Sequence, residues 1–97
     1  MALDKKNSNQ AYLQGRLVAL IVSVLGKENV KENQIKKACT EAVEFIPQLL
    51  AKATVLASDA QQKTIGEVVG KLTGFSNLTP EEQGTFWVGY YHQIAEI

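Results

Sequence analysis

The sequence holds a single cysteine, a single histidine, a single arginine and two prolines, and carries no excess charge of either sign. Each scarcity excludes something. Cys39 alone cannot close an internal disulfide, which fits a reducing cytoplasm. Cys39 and His92 cannot hold a metal without carboxylates, and no Asp/Glu cluster supplies them. A nucleophilic Cys39–His92 pair would need a third, orienting group, and the sequence offers none. Gly66-x-x-x-Gly70 lacks the Lys-Ser/Thr that completes a phosphate-binding loop. The adjacent Glu81 and Glu82 point in different directions on a helix, so capping explains them better than acid–base work. These absences argue against an enzyme, and the expectation is a non-enzymatic chain with no cofactor. Ten Lys plus Arg against ten Asp plus Glu excludes a strongly basic nucleic-acid clamp acting alone, though not a basic face. Residues 1–10 have no apolar signal-peptide core. The longest apolar stretch, residues 17–25, is interrupted by Ser23 and is too short to cross a bilayer. The expectation is a soluble cytoplasmic protein without membrane contact.

What remains is helical periodicity. The 97 residues suit one domain, expected to span 1–97 with residues 1–8 as a flexible N-terminal tail. Asn7, Ser8 or Asn9 caps a first helix, in which Leu13, Leu17, Leu20 and Val24 recur at three- and four-residue steps, widened by Ile21 and Leu25. Gly26 stops it. Gly15 costs a helix interior about 1 kcal/mol against Ala, which a close helix contact would offset. A second apolar stripe runs through Ile35, Ala38, Cys39, Ala42 and Val43 and on to Ile46, Leu49, Leu50 and Ala53. Pro47 predicts either a kink or two helices meeting near Thr40, with Thr40 as N-cap. Ser58 and Gln61 form a capping box for a helix burying Ile65, Val68, Val69 and Leu72 and ended by Gly74. Gly66 and Gly70, four apart, read as a site of close helix packing. Thr79 as N-cap, Pro80 at N1 and Glu82 at N3 open a last helix carrying Phe86, Trp87, Tyr90, Tyr91 and Ile94. The fold expected is all-α, a small bundle of four to five helices.

Two surfaces stand out. Lys36, Lys37, Lys52, Lys63 and Lys71 are scattered over the middle helices, and solvated surface is the bland reading of each. Arg16, inside an apolar stripe, either clamps a phosphate or pairs with Glu41 or Glu44. The aromatic stripe exceeds what one face of a short helix buries, so Trp87 and Tyr91 are expected to meet a partner protein. Base stacking is the weaker reading, since no basic residue interleaves with these aromatics.

At this point a family comes into view. The run Leu78-Thr79-Pro80-Glu81-Glu82-Gln83-Gly84-Thr85-Phe86-Trp87-Val88-Gly89-Tyr90-Tyr91-His92-Gln93 resembles the closing segment of the type I-C CRISPR Cascade large subunit, Leu-x-x-Glu-Glu-Gln-Gly-x-Phe-x-x-Gly-Tyr-Tyr-His-Gln. Ala11-Tyr12-Leu13-Gln14-Gly15-Arg16-Leu17-Val18-Ala19 is similar to an Ala-Tyr-Leu-x-Gly-Arg-Leu-x-Ala segment of the same region, and Ile46-Pro47-Gln48-Leu49-Leu50 to a Phe-Pro-x-Leu-Leu step between them. Residues 34–40 depart from the family, which tends to carry an Asp-Arg-Tyr-type segment there.

The resemblance covers the large subunit's tail, and this chain starts with its own Met1, as does the small subunit made from that tail by internal translation. It implies a helical bundle, present in several copies, partnered by the large subunit, the guide-RNA backbone subunits and neighbouring copies of itself. It also implies support of the displaced strand of target DNA. The resulting expectation is a non-catalytic subunit whose Arg16, Lys36, Lys37, Lys52, Lys63 and Lys71 make sequence-independent phosphate contacts, reinforced by avidity across copies. Guide pairing, not this chain, would read sequence. The rivals are a helical protein–protein adaptor without nucleic-acid contact, and a small helix-turn-helix repressor reading DNA through Lys36-Lys37.

Overall fold

Asn9 opens the first helix: its side-chain oxygen accepts the backbone N–H groups of Ala11 and Tyr12 at 2.9 and 3.2 Å. That helix, α1 (Gln10–Leu25), ends where Gly26 takes φ +91°, a conformation that favours glycine. The computed structural model describes residues 3–97, and among them it contains five α-helices and no strand. After α1 come α2 (Glu32–Thr40), α3 (Ala42–Leu56), α4 (Asp59–Lys71) and α5 (Pro80–Glu96).

Helix α1 is the hub and touches every other helix, α5 most extensively. The expected one-sided stripe is therefore too narrow. Every residue from Ala11 to Val22 is buried, including Gln14 and Arg16. A helix surrounded on all sides must satisfy its polar side chains internally. Gln14 does so by donating to the Ser76 carbonyl at 3.2 Å and accepting the Ser76 N–H at 2.8 Å. One turn earlier, Gln10 accepts the Thr73 N–H at 2.8 Å and donates to the Lys71 carbonyl at 3.2 Å. Together they fasten the α4–α5 connection along α1.

The break between the second and third helices falls where the sequence places it, but Thr40 is not the cap. Thr40 closes α2, and its hydroxyl donates back to the Lys36 carbonyl at 3.1 Å. Glu41, at φ −126° and ψ 44°, separates the helices and offers no side-chain cap. Asn77 replaces it, accepting the Val43 N–H at 3.1 Å from 34 residues away. Pro47 lies inside α3, which continues past it to Leu56.

The two capping boxes form as expected, Ser58 with Gln61 and Thr79 with Glu82. Helix α4 buries Ile65 and Val68, whereas Val69 and Leu72 are only half-buried. It stops at Lys71, and Gly74, at φ +148°, lies beyond it in the connection.

The expectation for Gly66 and Gly70 is overturned. A Cβ at either position would meet nothing within 4 Å among the described residues. The close approach occurs instead between α1 and α5, through Gly15 and Gly89. A Cβ on Gly15 would run into the backbone carbonyl of Phe86, and one on Gly89 into that of Tyr12. The two bare backbones lie against each other, so the helices cross at a distance that no larger residue permits. The roughly 1 kcal/mol that each glycine costs its helix is offset by the packing this allows. Phe86, fully buried beside the crossing, adds about 2–3 kcal/mol by leaving water.

Of the expected tail, Met1 and Ala2 lie outside the described residues. Further along, the Asp4 N–H donates to the Tyr12 hydroxyl at 3.0 Å, and the Lys5 carbonyl accepts from Lys71 Nζ at 2.8 Å.

Candidate nucleic-acid and partner surfaces

Lys36, Lys37, Lys52, Lys63 and Lys71 are all exposed, distributed over α2, α3 and α4. Their local partners are weak. Lys36 Nζ sits 4.0 Å from Glu32 across one exposed turn, a pair worth a few tenths of a kcal/mol. Lys37 Nζ lies 5.3 Å from the centre of the Phe45 ring. The ammonium groups of Lys36, Lys37, Lys52 and Lys63 lie at the solvated surface, whereas Lys71 Nζ donates to the Lys5 carbonyl at 2.8 Å.

Arg16 is a different case. Only 5% of it is exposed. Its partner is neither Glu41 nor Glu44: Nε donates to Gln93 Oε1 at 2.9 Å. Nη1 is buried and has no hydrogen-bond partner among the described residues. Burial pulls the guanidinium down from its ordinary value, opposed by the charges of Tyr12, Glu67 and Asp4. Arg16 lines a cavity together with Lys5, Glu67 and Lys71. Of the six expected basic contacts, the structure gathers Arg16 and Lys71 at one cavity and leaves the other four outside it.

The C-terminal aromatics divide by face. Phe86 and Tyr90 are buried against the core, Trp87 is half-buried, and Tyr91 is 54% exposed. Trp87 and Tyr91 stack with ring centres 5.8 Å apart and planes 28° apart. With Val22, Val30, Ile35 and Ile94 they line a shallow groove of about 250 Å³ between α1, α2 and α5. The two residues singled out for a partner thus share one surface.

His92 and Cys39 are each otherwise engaged. His92 Nδ1 is 2.9 Å from the Tyr12 hydroxyl. Cys39 belongs to the apolar core, and burial raises its thiol from 9.0 to about 11. Because the unfolded thiol ionises first, stability is retained below pH 9 and falls as pH rises from there towards 11. Urea unfolding across pH 8–11 is expected to show this loss, and Cys39→Ala should reduce its slope. An identical slope in the variant would assign the loss to other groups.

No group of three or more His, Cys, Asp or Glu is placed to hold a metal among the described residues. No helix among them is long and apolar enough to cross a membrane.

Sequence reasoning singled out Gly15 and Arg16 but missed their counterparts, Gly89 and Gln93. It also missed Gln14. The available signal was a pair of glutamines, Gln10 and Gln14, one turn apart at the start of an otherwise apolar helix. Two of the three segments that carry the resemblance, residues 11–19 and 78–93, form one packing unit. Gly15 meets Phe86, Gly89 meets Tyr12, Arg16 binds Gln93, and Tyr12 binds His92.

The molecule is a tightly crossed all-α bundle, with its only arginine and its histidine tied inward and its lysines and Tyr91 outside. The chain belongs to a CRISPR-associated family: the model described as CRISPR-associated protein (Cas_Csd1) matches residues 1–97. No curated protein matches it.

Proposed function

We propose that this chain serves as a small, non-catalytic subunit of a CRISPR RNA-guided surveillance complex and contacts DNA through its exposed lysines. The observation that carries the proposal is the family match over the full 97 residues. The bundle's charge layout supports the DNA role. Lys36, Lys37, Lys52, Lys63 and Lys71 face solvent with little to neutralise them locally. Each contact is sequence-independent and weak, because the chain carries no net charge. Several copies fixed on a scaffold of large and guide-RNA-binding subunits turn weak contacts into useful avidity. The displaced strand is the natural substrate, since the target strand is occupied by the guide. Trp87 and Tyr91, stacked on a separate groove, are the surface for a neighbouring subunit.

The same fold would serve a protein–protein adaptor without nucleic-acid contact, and one pair of variants separates the readings. Lys36, Lys37, Lys52 and Lys63 changed together to Gln should leave co-purification with the complex intact. The slope of log K against log salt for target binding should become shallower, by up to about 0.7–0.9 for each phosphate no longer neutralised. Trp87→Ala should do the opposite, reducing co-purification. An unchanged salt slope in the lysine variant would leave the adaptor reading in place.

A further inference from the structure

The cavity beside Arg16 is a built site that the lysine contacts do not explain. It measures about 240 Å³ and lies between α4 and α5 above α1. Its charged lining is Lys5, Arg16 and Lys71 against Glu67 and Glu96, an excess of one positive charge. Arg16 is withdrawn from solvent, being 5% exposed, and Gln93 occupies its Nε. That leaves Nη1 as a donor without an acceptor among the described residues. A buried, unmatched donor on a cation typically costs more than 1–3 kcal/mol, so this site is incomplete as it stands.

A second compartment adjoins it. Leu20, Val24, Ala60, Ile65 and Ile97 line an apolar hollow of about 250 Å³. Thr64, Gln93 and Glu96 belong to both walls, so the two lie side by side and together form a two-part groove. The groove therefore offers an apolar seat next to a guanidinium whose Nη1 lacks an acceptor among the described residues.

We infer that this groove receives an acidic peptide segment of a partner protein, with one carboxylate on Arg16 and a neighbouring apolar side chain in the adjoining hollow. A carboxylate is planar and monovalent, which suits a guanidinium fork and a single excess positive charge. A nucleic-acid strand suits it poorly. It brings a negative charge about every 3.4 Å, against walls that already hold Glu67 and Glu96. Nor would a phosphodiester fill the apolar half. Lys71 belongs to this groove as well as to the exposed set, so the lysine variant described above leaves it unaltered.

The test uses the full chain and follows the Arg16 guanidinium by ¹⁵N NMR. Three probes are titrated: acetyl-Leu-Asp-Leu-amide, its Asn counterpart, and a ten-nucleotide oligothymidylate. The Asp peptide should shift the Arg16 resonance saturably, with at least about tenfold tighter binding than the Asn peptide, the gap expected for one charge-assisted contact. The oligonucleotide should leave that resonance in place. Ala60→Trp, at an exposed position of α4, fills the apolar half and should weaken the Asp peptide about tenfold without altering the melting temperature. Equal binding of the Asp and Asn peptides would overturn the assignment. So would a stronger Arg16 response to the oligonucleotide, or no response to any of the three up to about 10 mM, the weak limit for a specific contact.

Discussion

Gly15→Ala and Gly89→Ala should each destabilise the fold by about 2–3 kcal/mol, whereas Gly66→Ala and Gly70→Ala should stabilise it by about 0.5–1 kcal/mol. The chemical change is identical in all four. Only the surroundings differ. At Gly15 the new methyl would meet the Phe86 carbonyl, with the Tyr90 nitrogen 2.9 Å away, and at Gly89 it would meet the Tyr12 backbone. Helix backbone at a buried crossing cannot swing aside as the end of a side chain can. The helices must separate, and the packing around Phe86 and Tyr90 loosens with them. The helix-propensity gain of about 1 kcal/mol is real at these sites too, but overpacking against backbone exceeds it. At Gly66 and Gly70 nothing lies within 4 Å, so the propensity gain stands alone. For a domain of this size the first pair should melt roughly 10–20 °C lower and the second a few degrees higher. Urea or thermal unfolding of the four variants checks both signs at once. A loss at Gly66 equal to that at Gly15 would mean that the helices pack otherwise.

Gln93→Leu should cost about 2–3 kcal/mol, and more than Arg16→Leu. Removing the amide strands a buried guanidinium whose Nη1 already lacks a partner, leaving Nε without one as well. Removing the arginine takes away the charge and its desolvation cost together, and leaves a neutral amide with a smaller unmet demand. The double substitution should therefore be less destabilising than the sum of the two. A double-mutant cycle measures that coupling directly. Strict additivity would show that Arg16 and Gln93 act independently despite the 2.9 Å hydrogen bond.

The readable part of this fold was the part written locally. The capping boxes at Ser58 and Thr79 need only residues three apart, and both form. Asn9 and Gly26 bound α1 for equally local reasons. The unreadable part was written across the chain. Asn77 caps α3 from 34 residues away, and no window around Thr40 contains that information. Gly66 and Gly70 have the spacing of a packing motif, but spacing does not say whether a second helix arrives. Gly89 has no such spacing, yet α1 crosses directly over it. One apolar stripe leaves Arg16 open to either a phosphate contact or an ion pair with Glu41 or Glu44. The helix is in fact enclosed on every side, which converts an apparent surface cation into a buried one. Sequence patterns report what a helix can bury; how many helices surround it is a property of the whole fold.

The division between inward signature and outward charge also orders the functional reading. Gly89, Tyr90, His92 and Gln93 pack or bond inward against α1, while the lysines lie on the outside. The most direct test is reconstitution of the guide-RNA-bearing complex with and without this chain, with target DNA binding measured across a salt series. The chain should co-purify with the complex, and its presence should tighten binding and steepen the slope of log K against log salt, by about 0.7–0.9 for each phosphate that it engages. A chain that fails to join the complex, or one that joins and leaves both affinity and slope unchanged, would contradict the proposed role as a DNA-contacting subunit.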